Sequence, residues 1–170
     1  MKTIPKEFES ILLGELSESD CSPKIDSWGF RGIKLNAPKK VIVNSEFILP
    51  LCGSTQFSEK FINEFKRIDD EIVIVVVNTL TNQSYSGNLS EPSYESEENI
   101  KSIGTDEELE LNTVNGWFNI DVYDYVRSLT QLEGTYLIYA LIGDLKSNVV
   151  SVEIEISEGA VPGPREPRPN

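Results

Sequence analysis

Two short segments that are apolar on both faces constrain the fold of this chain more than any other feature. Residues 71–79 read EIVIVVVNT, and residues 135–142 read TYLIYALI. β-Branched and aromatic side chains favour strands, and a strand without polar alternation is typical of a position that is covered on both sides. The two segments therefore predict two central strands of the core.

Each of these segments is followed by the pattern of a partner strand. Residues 149–156 alternate valine and isoleucine with serine and glutamate after a turn over residues 143–148, which predicts a half-exposed strand. Residues 84–89 alternate tyrosine, glycine and leucine with serine and asparagine, which predicts the strand that returns after residues 71–79. We therefore expect two hairpins.

The chain before these segments predicts shorter strands. Residues 28–35 begin β structure, and Pro38 interrupts pairing before the apolar residues 41–43. This pattern predicts a first strand that is split in two at a sheet edge. Residues 47–51 predict a further short strand, with Pro50 at its end.

Helical spacing occurs in two of the connections between strands. Residues 58–68 carry apolar residues at helical intervals behind Ser58, which is a favourable N-cap, so they predict one short helix. Residues 117–125 are rich in aromatic side chains and predict a strand with Trp117 in the core, followed by a helical turn near residues 123–129. We expect one or two short helices between the strands.

The residues that lead into the second central strand resemble a known motif. Residues 132–136, LEGTY, are similar to the tyrosine corner of immunoglobulin and fibronectin type III domains, and residues 147–150 resemble the start of their last strand. The resemblance implies an all-β, immunoglobulin-like antiparallel β-sandwich. It also implies a structural role for Gly134 and for Tyr136, whose hydroxyl would bond to backbone a few residues upstream. A fold of this kind hosts many functions, so the resemblance implies no activity.

The distribution of apolar runs predicts one folded domain over residues 26–157. The sequence predicts that residues 1–25 form an N-terminal arm with a short helical patch near residues 8–16. Residues 158–170 are rich in proline and predict an extended, disordered tail.

The charge of the chain limits its partners. The net charge of −13 and a pI near 4.4 disfavour nucleic acid, because affinity for phosphates depends on lysine and arginine. No stretch approaches the roughly 20 apolar residues that cross a bilayer, so we expect no membrane insertion. The acidity favours solubility, and it leaves open a protein partner with a basic surface.

Cys21 and Cys52 are the only cysteines. They permit one bridge that closes a loop of about 30 residues. The N-terminal residues contain no signal-peptide core, which predicts a cytoplasmic protein whose two cysteines are buried free thiols. Export, if it occurs, would favour the disulfide instead.

The sequence contains little that indicates catalysis. It has no histidine, which removes the commonest general base and most zinc sites, and it has no phosphate-binding glycine loop, nucleophile elbow or EF-hand loop. We therefore predict no cofactor, no metal site and no enzymatic activity. Carboxylate pairs such as Asp69 with Asp70, or Asp121 with Asp124, leave a carboxylate-dependent hydrolase as an alternative.

Exposed aromatic residues beside acidic ones are the best candidates for a binding surface. Core packing is the competing role for both tryptophans. The acidic residues 91–110 are expected to be mobile and able to attract a basic partner. The candidate binding residues are Trp28, Phe30, Tyr94, Glu95, Glu97 and Glu98.

Good strands, high acidity and the lack of a catalytic set together favour a non-catalytic protein-binding module. Such a protein would be an inhibitor, an immunity factor or an accessory subunit, and it would act through loops of the sandwich or an edge strand. The alternatives are an exported adhesion or carbohydrate-binding sandwich and the hydrolase.

Overall fold

The computed structural model describes residues 8, 13–14, 16–90, 101–161 and 163. In chain order the strands are β1 (Gly32–Asn36), β2 (Lys40–Val43), β3 (Pro50–Ser58), β4 (Val73–Asn78), β5 (Ser84–Asn88), β6 (Thr113–Asp121), β7 (Gly134–Ile142), β8 (Leu145–Lys146) and β9 (Val150–Ile156). The helices are α1 (Glu59–Asn63), α2 (Ile68–Glu71), α3 (Asp106–Leu111) and α4 (Val122–Tyr125). The prediction of a mainly β chain is confirmed, but the described residues form four short helices rather than one or two.

The strands form two sheets. The smaller sheet has the order β1-β3-β6, and the larger has the order β2-β9-β7-β4-β5, with β8 paired to β7. The pair of β2 with β9 is parallel, and the other pairs are antiparallel. Both predicted central strands have neighbours on each side, because β7 lies between β9 and β4, and β4 lies between β7 and β5.

Inward side chains of both sheets form one hydrophobic cluster. The larger sheet contributes every second residue of β7 and of β4, as expected for strands whose side chains alternate between faces. The smaller sheet contributes from β3 and β6. The members from these four strands are Tyr136, Ile138, Ala140, Ile142, Ile74, Val76, Leu51, Phe57, Phe118 and Ile120.

The first strand is split, as the sequence predicts. Strand β1 pairs with β3 in the smaller sheet. After Pro38 the chain continues as β2, which pairs with β9 in the larger sheet. The outer edge of β1 is closed at Leu35, whose N–H donates to Asn148 Oδ1 at 2.7 Å and whose carbonyl accepts from Asn148 Nδ2 at 3.0 Å. The amide of Asn148 therefore takes the place that a neighbouring strand would occupy.

Strand β3 is longer than the sequence predicts. The prediction ended near residue 51, whereas β3 has nine residues and is buried along its whole length. Its last seven residues read CGSTQFS, which lacks an apolar alternation because one face of β3 presents polar groups to another part of the chain. Gly53 is required here, since a Cβ would lie 2.0 Å from the Phe118 ring on the paired strand.

The connection after β3 contains two short helices instead of the single one predicted over residues 58–68. Ser58 is the N-cap, as predicted, and its hydroxyl accepts from the Phe61 N–H at 3.1 Å. The helix α1 ends at Asn63, whose side chain exchanges two hydrogen bonds of 3.0 Å with the backbone of Ser102. Asn63 therefore joins the end of α1 to Ser102, which is distant in the sequence.

Tyr136 and Gly134 lie at the start of β7. The Tyr136 side chain is fully buried, and its hydroxyl donates to the Leu132 carbonyl at 2.8 Å. Gly134 has a φ of +145°, which side chains of L residues rarely adopt. Burial raises the pKa of the Tyr136 phenol above its ordinary value.

We predict that Tyr136→Phe lowers the free energy of unfolding by about 1 kcal/mol, which is the usual net value of one hydrogen bond. Urea unfolding followed by circular dichroism measures the change. Tyr85→Phe is the matched control, because the Tyr85 hydroxyl bonds to Gln83 Oε1 at 2.8 Å on the surface, where water replaces it. Equal losses in the two variants would contradict the structural role of Tyr136.

The raised pKa of Tyr136 leads to a second prediction, which concerns how the stability of the protein depends on pH. The unfolded chain loses this phenolic proton near pH 10, before the folded chain does, so folding is penalised as the pH rises above about 10. The wild type should therefore lose stability faster than Tyr136→Phe as the pH rises above about 10. Parallel pH profiles for the two proteins, measured by thermal unfolding, would show that the shift is absent.

Candidate functional site

The outer face of the larger sheet carries a row of apolar side chains, here called the outer strip. The strip lies on the two central strands β4 and β7, and the register of that pair places its members directly opposite each other. These side chains are partly exposed except Val75, which retains 9% of its surface. The members are Val73, Val75, Val77, Leu137, Tyr139 and Leu141.

Small polar residues flank the outer strip. On one side, Ser84, Ser86 and Asn88 of β5 lie opposite the three valines and are exposed. On the other side, Ser151 of β9 lies opposite Leu137. The Nζ of Lys146 lies 4.3 Å from the centre of the Tyr139 ring. An apolar centre with a polar rim is the usual composition of a protein interface.

The outer strip explains why both central strands are apolar on two faces. Their inner residues belong to the hydrophobic cluster, and their outer residues form the strip. The apolar pattern predicts all these side chains in the core and indicates no surface. It carries no signal for the strip, because residues 73, 75 and 77 are as apolar as the inward residues 74 and 76 with which they alternate.

The outer face of the smaller sheet has a different chemistry, because residues 17–30 cross it. We call this segment the strap. Polar side chains of the smaller sheet donate hydrogen bonds to backbone carbonyls of the strap, at both ends of the strap and in its middle. The bonds are Asn119 Nδ2 to Ser17 at 3.0 Å, Asn36 Nδ2 to Cys21 at 2.9 Å, Ser54 Oγ to Pro23 at 2.6 Å, and Gln56 Nε2 to Ser27 at 3.1 Å and to Phe30 at 2.9 Å.

A disulfide also holds the strap. Cys21 and Cys52 are bonded, with their Cα atoms 6.0 Å apart, so the prediction of free thiols is wrong. Cys52 is an outward residue of β3, and the strap brings Cys21 over it. Phe8 packs against the pair in a small hydrophobic cluster separate from the main one. The strap and β3 are therefore joined covalently as well as by hydrogen bonds.

An open groove of about 250 Å³ lies between the strap and strand β6. Glu18, Lys24 and Asp26 of the strap form one wall, and Asn115 and Trp117 of β6 form the other side. Two fixed regions of the strap, at residues 21–23 and 27–30, lie on either side of Lys24 and Asp26, and Glu18 precedes both regions.

The aromatic candidates lie at the surface to different degrees, and Trp117 lies away from the place expected. Trp28 is not in the core, because its side chain is 77% exposed, while Arg31 Nη1 holds its carbonyl at 2.8 Å. Phe30 is half-buried under the Lys34 ammonium, which lies 5.3 Å from the ring centre. The assignment of Trp117 to the core is wrong, since Phe118 and Ile120 take the inward positions and leave Trp117 half-buried on the outer face.

Of the candidate binding residues, the structure describes Trp28 and Phe30. The candidates Tyr94, Glu95, Glu97 and Glu98 lie outside the described residues. Much of the predicted N-terminal arm and Pro-rich tail lies outside them as well. Trp28 and Phe30 lie at the end of the strap, on the side of the molecule opposite the outer strip.

The carboxylate pairs have other environments. One Asp121 oxygen accepts from the N–H groups of Leu49 and Tyr123, at 3.0 and 3.2 Å, and so fixes the start of α4. Burial, with a further contribution from the neighbouring Asp70, raises the pKa of Asp69. In the part of the chain that the structure describes, no group of three or more acidic or cysteine side chains could hold a metal ion.

We predict that reduction of the Cys21–Cys52 bond lowers the free energy of unfolding by about 3 to 4 kcal/mol, because the bond spans 31 residues and restricts the unfolded chain. Reduction should also speed tryptic cleavage at Lys24 in the strap. Urea unfolding and timed digestion measure these effects. The variant Cys21→Ser is the control, and added reductant should not change it further. Unchanged cleavage at Lys24 would contradict the role of the bond in holding the strap.

Comparison with known proteins identifies no family. No protein-family model matches the chain, and a search of the curated proteins finds no match either. None of the helices in the described ranges is long and apolar enough to cross a membrane.

Proposed function

We propose that this chain is an immunoglobulin-like sandwich that acts as a non-catalytic protein-binding module, such as an inhibitor, an immunity factor or an accessory subunit. Three features support this type of fold. The first strand divides between the two sheets, the sheets have the orders β1-β3-β6 and β2-β9-β7-β4-β5, and Tyr136 bonds to the backbone four residues upstream.

The outer strip is the observation that carries the proposed function. Its members form a continuous apolar row across two paired strands, bordered by serine and asparagine. A flat row of this kind offers no enclosed space for a small molecule, but it matches the centre of an interface with another folded protein. Tyr139 is the expected hot spot, because tyrosine combines a large apolar ring with a polar end.

The disulfide supports an oxidising compartment for this protein, since such bonds persist outside the reducing cytoplasm. We therefore propose that the binding module works after export or in another oxidising space. Intact-mass measurement of the protein purified from its native cells, with and without alkylation, tests this. Two free thiols in the native protein would contradict this proposal and support a cytoplasmic location instead.

The protein-binding proposal is tested by capture with the immobilised, oxidised chain, followed by quantitative mass spectrometry. We predict that Tyr139→Ala weakens the specific interaction by about 30-fold, which corresponds to roughly 2 kcal/mol for a hot-spot residue. The interaction should persist in high salt, because the strip itself is uncharged and Lys146 is the charged side chain placed over it.

Two control variants make this test specific. Leu111→Ser removes an apolar side chain, 66% exposed, from the last residue of α3, and it should leave capture unchanged. Trp28→Ala tests the opposite side of the molecule. Loss of capture with Trp28→Ala but not with Tyr139→Ala would refute the outer strip as the binding surface. Capture that disappears in high salt would instead indicate the acidic segment and a basic partner.

A further inference from the structure

The groove beside the strap combines an aromatic ring with polar side chains of both charges, and we propose that it binds a neutral saccharide. This site would be separate from the proposed protein-binding surface, because the groove and the outer strip belong to different sheets. The residues that would contact the sugar are Glu18, Lys24, Asp26, Asn115 and Trp117.

The size of the groove suits a small ligand. Its volume of about 250 Å³ is below the roughly 300 to 1,000 Å³ of sites for drug-sized molecules, and one side is open to solvent. One sugar ring can enter, and a longer chain can continue outward. The open side thus accommodates either a single sugar or the end of an oligosaccharide.

The four polar side chains of the groove are exposed, so their hydrogen-bonding groups are accessible to a ligand. Within the described part of the chain, the side chains of Glu18, Lys24, Asp26 and Asn115 form no hydrogen bond or ion pair with other residues. The two carboxylates accept hydrogen bonds, the ammonium donates them, and the amide does both. A ring of hydroxyl groups, each of which donates and accepts, can satisfy all four side chains together.

The mixture of charges favours a neutral ligand. A cationic amine would be attracted by Glu18 and Asp26 but would be placed near the Lys24 ammonium. A phosphate or carboxylate would be attracted by Lys24 but repelled by the two acids. A neutral polyol forms charge-assisted hydrogen bonds with all three and incurs no repulsion.

Trp117 supplies the apolar part of the site. It is half-buried on the outer face of β6, and its ring borders the groove. The C–H face of a sugar ring is its apolar surface, and the indole is the large flat side chain on which that face can lie. The opposite wall is the strap. It is held in place because Ser54 donates to the Pro23 carbonyl and Gln56 donates to the carbonyls of Ser27 and Phe30. A preorganised wall lowers the entropic cost of binding.

The test uses the fluorescence of Trp117. The chain has two tryptophans, so the full-length, oxidised Trp28→Phe variant reports Trp117 alone. It is titrated with glucose, galactose, mannose, N-acetylglucosamine and their disaccharides, and separately with lysine methyl ester and inorganic phosphate. We expect a saturable change in emission with at least one neutral sugar and none with the two charged probes.

Substitutions in the same background then locate the site. Asn115→Ala and Asp26→Asn should each weaken sugar binding by about tenfold. The first removes the hydrogen bonds of the amide to the ligand, and the second removes the charge that strengthens the hydrogen bonds to the carboxylate. Leu80→Ser, at an exposed position on the β4–β5 turn, should leave binding unchanged. The proposal is overturned if no neutral sugar alters Trp117 emission, if only the charged probes do, or if Asn115→Ala and Asp26→Asn bind as tightly as their parent.

Discussion

The whole smaller sheet depends on satisfying the outward side chains of β3. That strand is buried along its length, yet its outer face presents Ser54 and Gln56. Buried polar groups without partners destabilise a fold by about 1 to 3 kcal/mol each. The strap provides those partners through its backbone carbonyls, and Asn36 and Asn119 on the neighbouring strands bind it in the same way. The strap is thus a structural layer over this sheet.

Much of the larger sheet could be predicted from the sequence, because its strands follow simple rules of apolar pattern. The two-faced segments became β4 and β7, residues 149–156 gave the half-exposed β9, and the break at Pro38 separates β1 from β2. The second half of β3 could not be predicted in this way. Its polar residues bind a segment more than 20 residues away, and no local pattern records such a partner.

The candidate surfaces were harder to predict than the strands. An apolar side chain on a strand has the same sequence pattern whether it packs inside or faces outward, so the outer strip was indistinguishable from core until the sheet order was known. Trp117 shows the reverse case. The neighbouring pair Phe118 and Ile120 already fixes the inward phase of β6, and that phase alone places Trp117 outside. The exposure of Trp28 has no comparable signal.

The two faces of the molecule have different chemistry, and each matches a different type of ligand. The outer strip is apolar and flat, with its polar groups at the rim. The groove beside the strap is concave and polar, with one aromatic ring. A molecule with both surfaces could hold a protein on one face and a saccharide on the other, because the hydrophobic cluster shared by the two sheets separates them.

The covalent joint between the strap and β3 determines how mechanical tension would travel through the domain. A pulling force applied ahead of Cys21 and behind β9 passes through the sulfur atoms directly into β3. The chain between the two cysteines, which includes β1 and β2, is then relieved of load. Once the bond is reduced, the same force reaches β2, whose parallel alignment with β9 loads their hydrogen bonds in shear. Redox state therefore selects which strands resist extension.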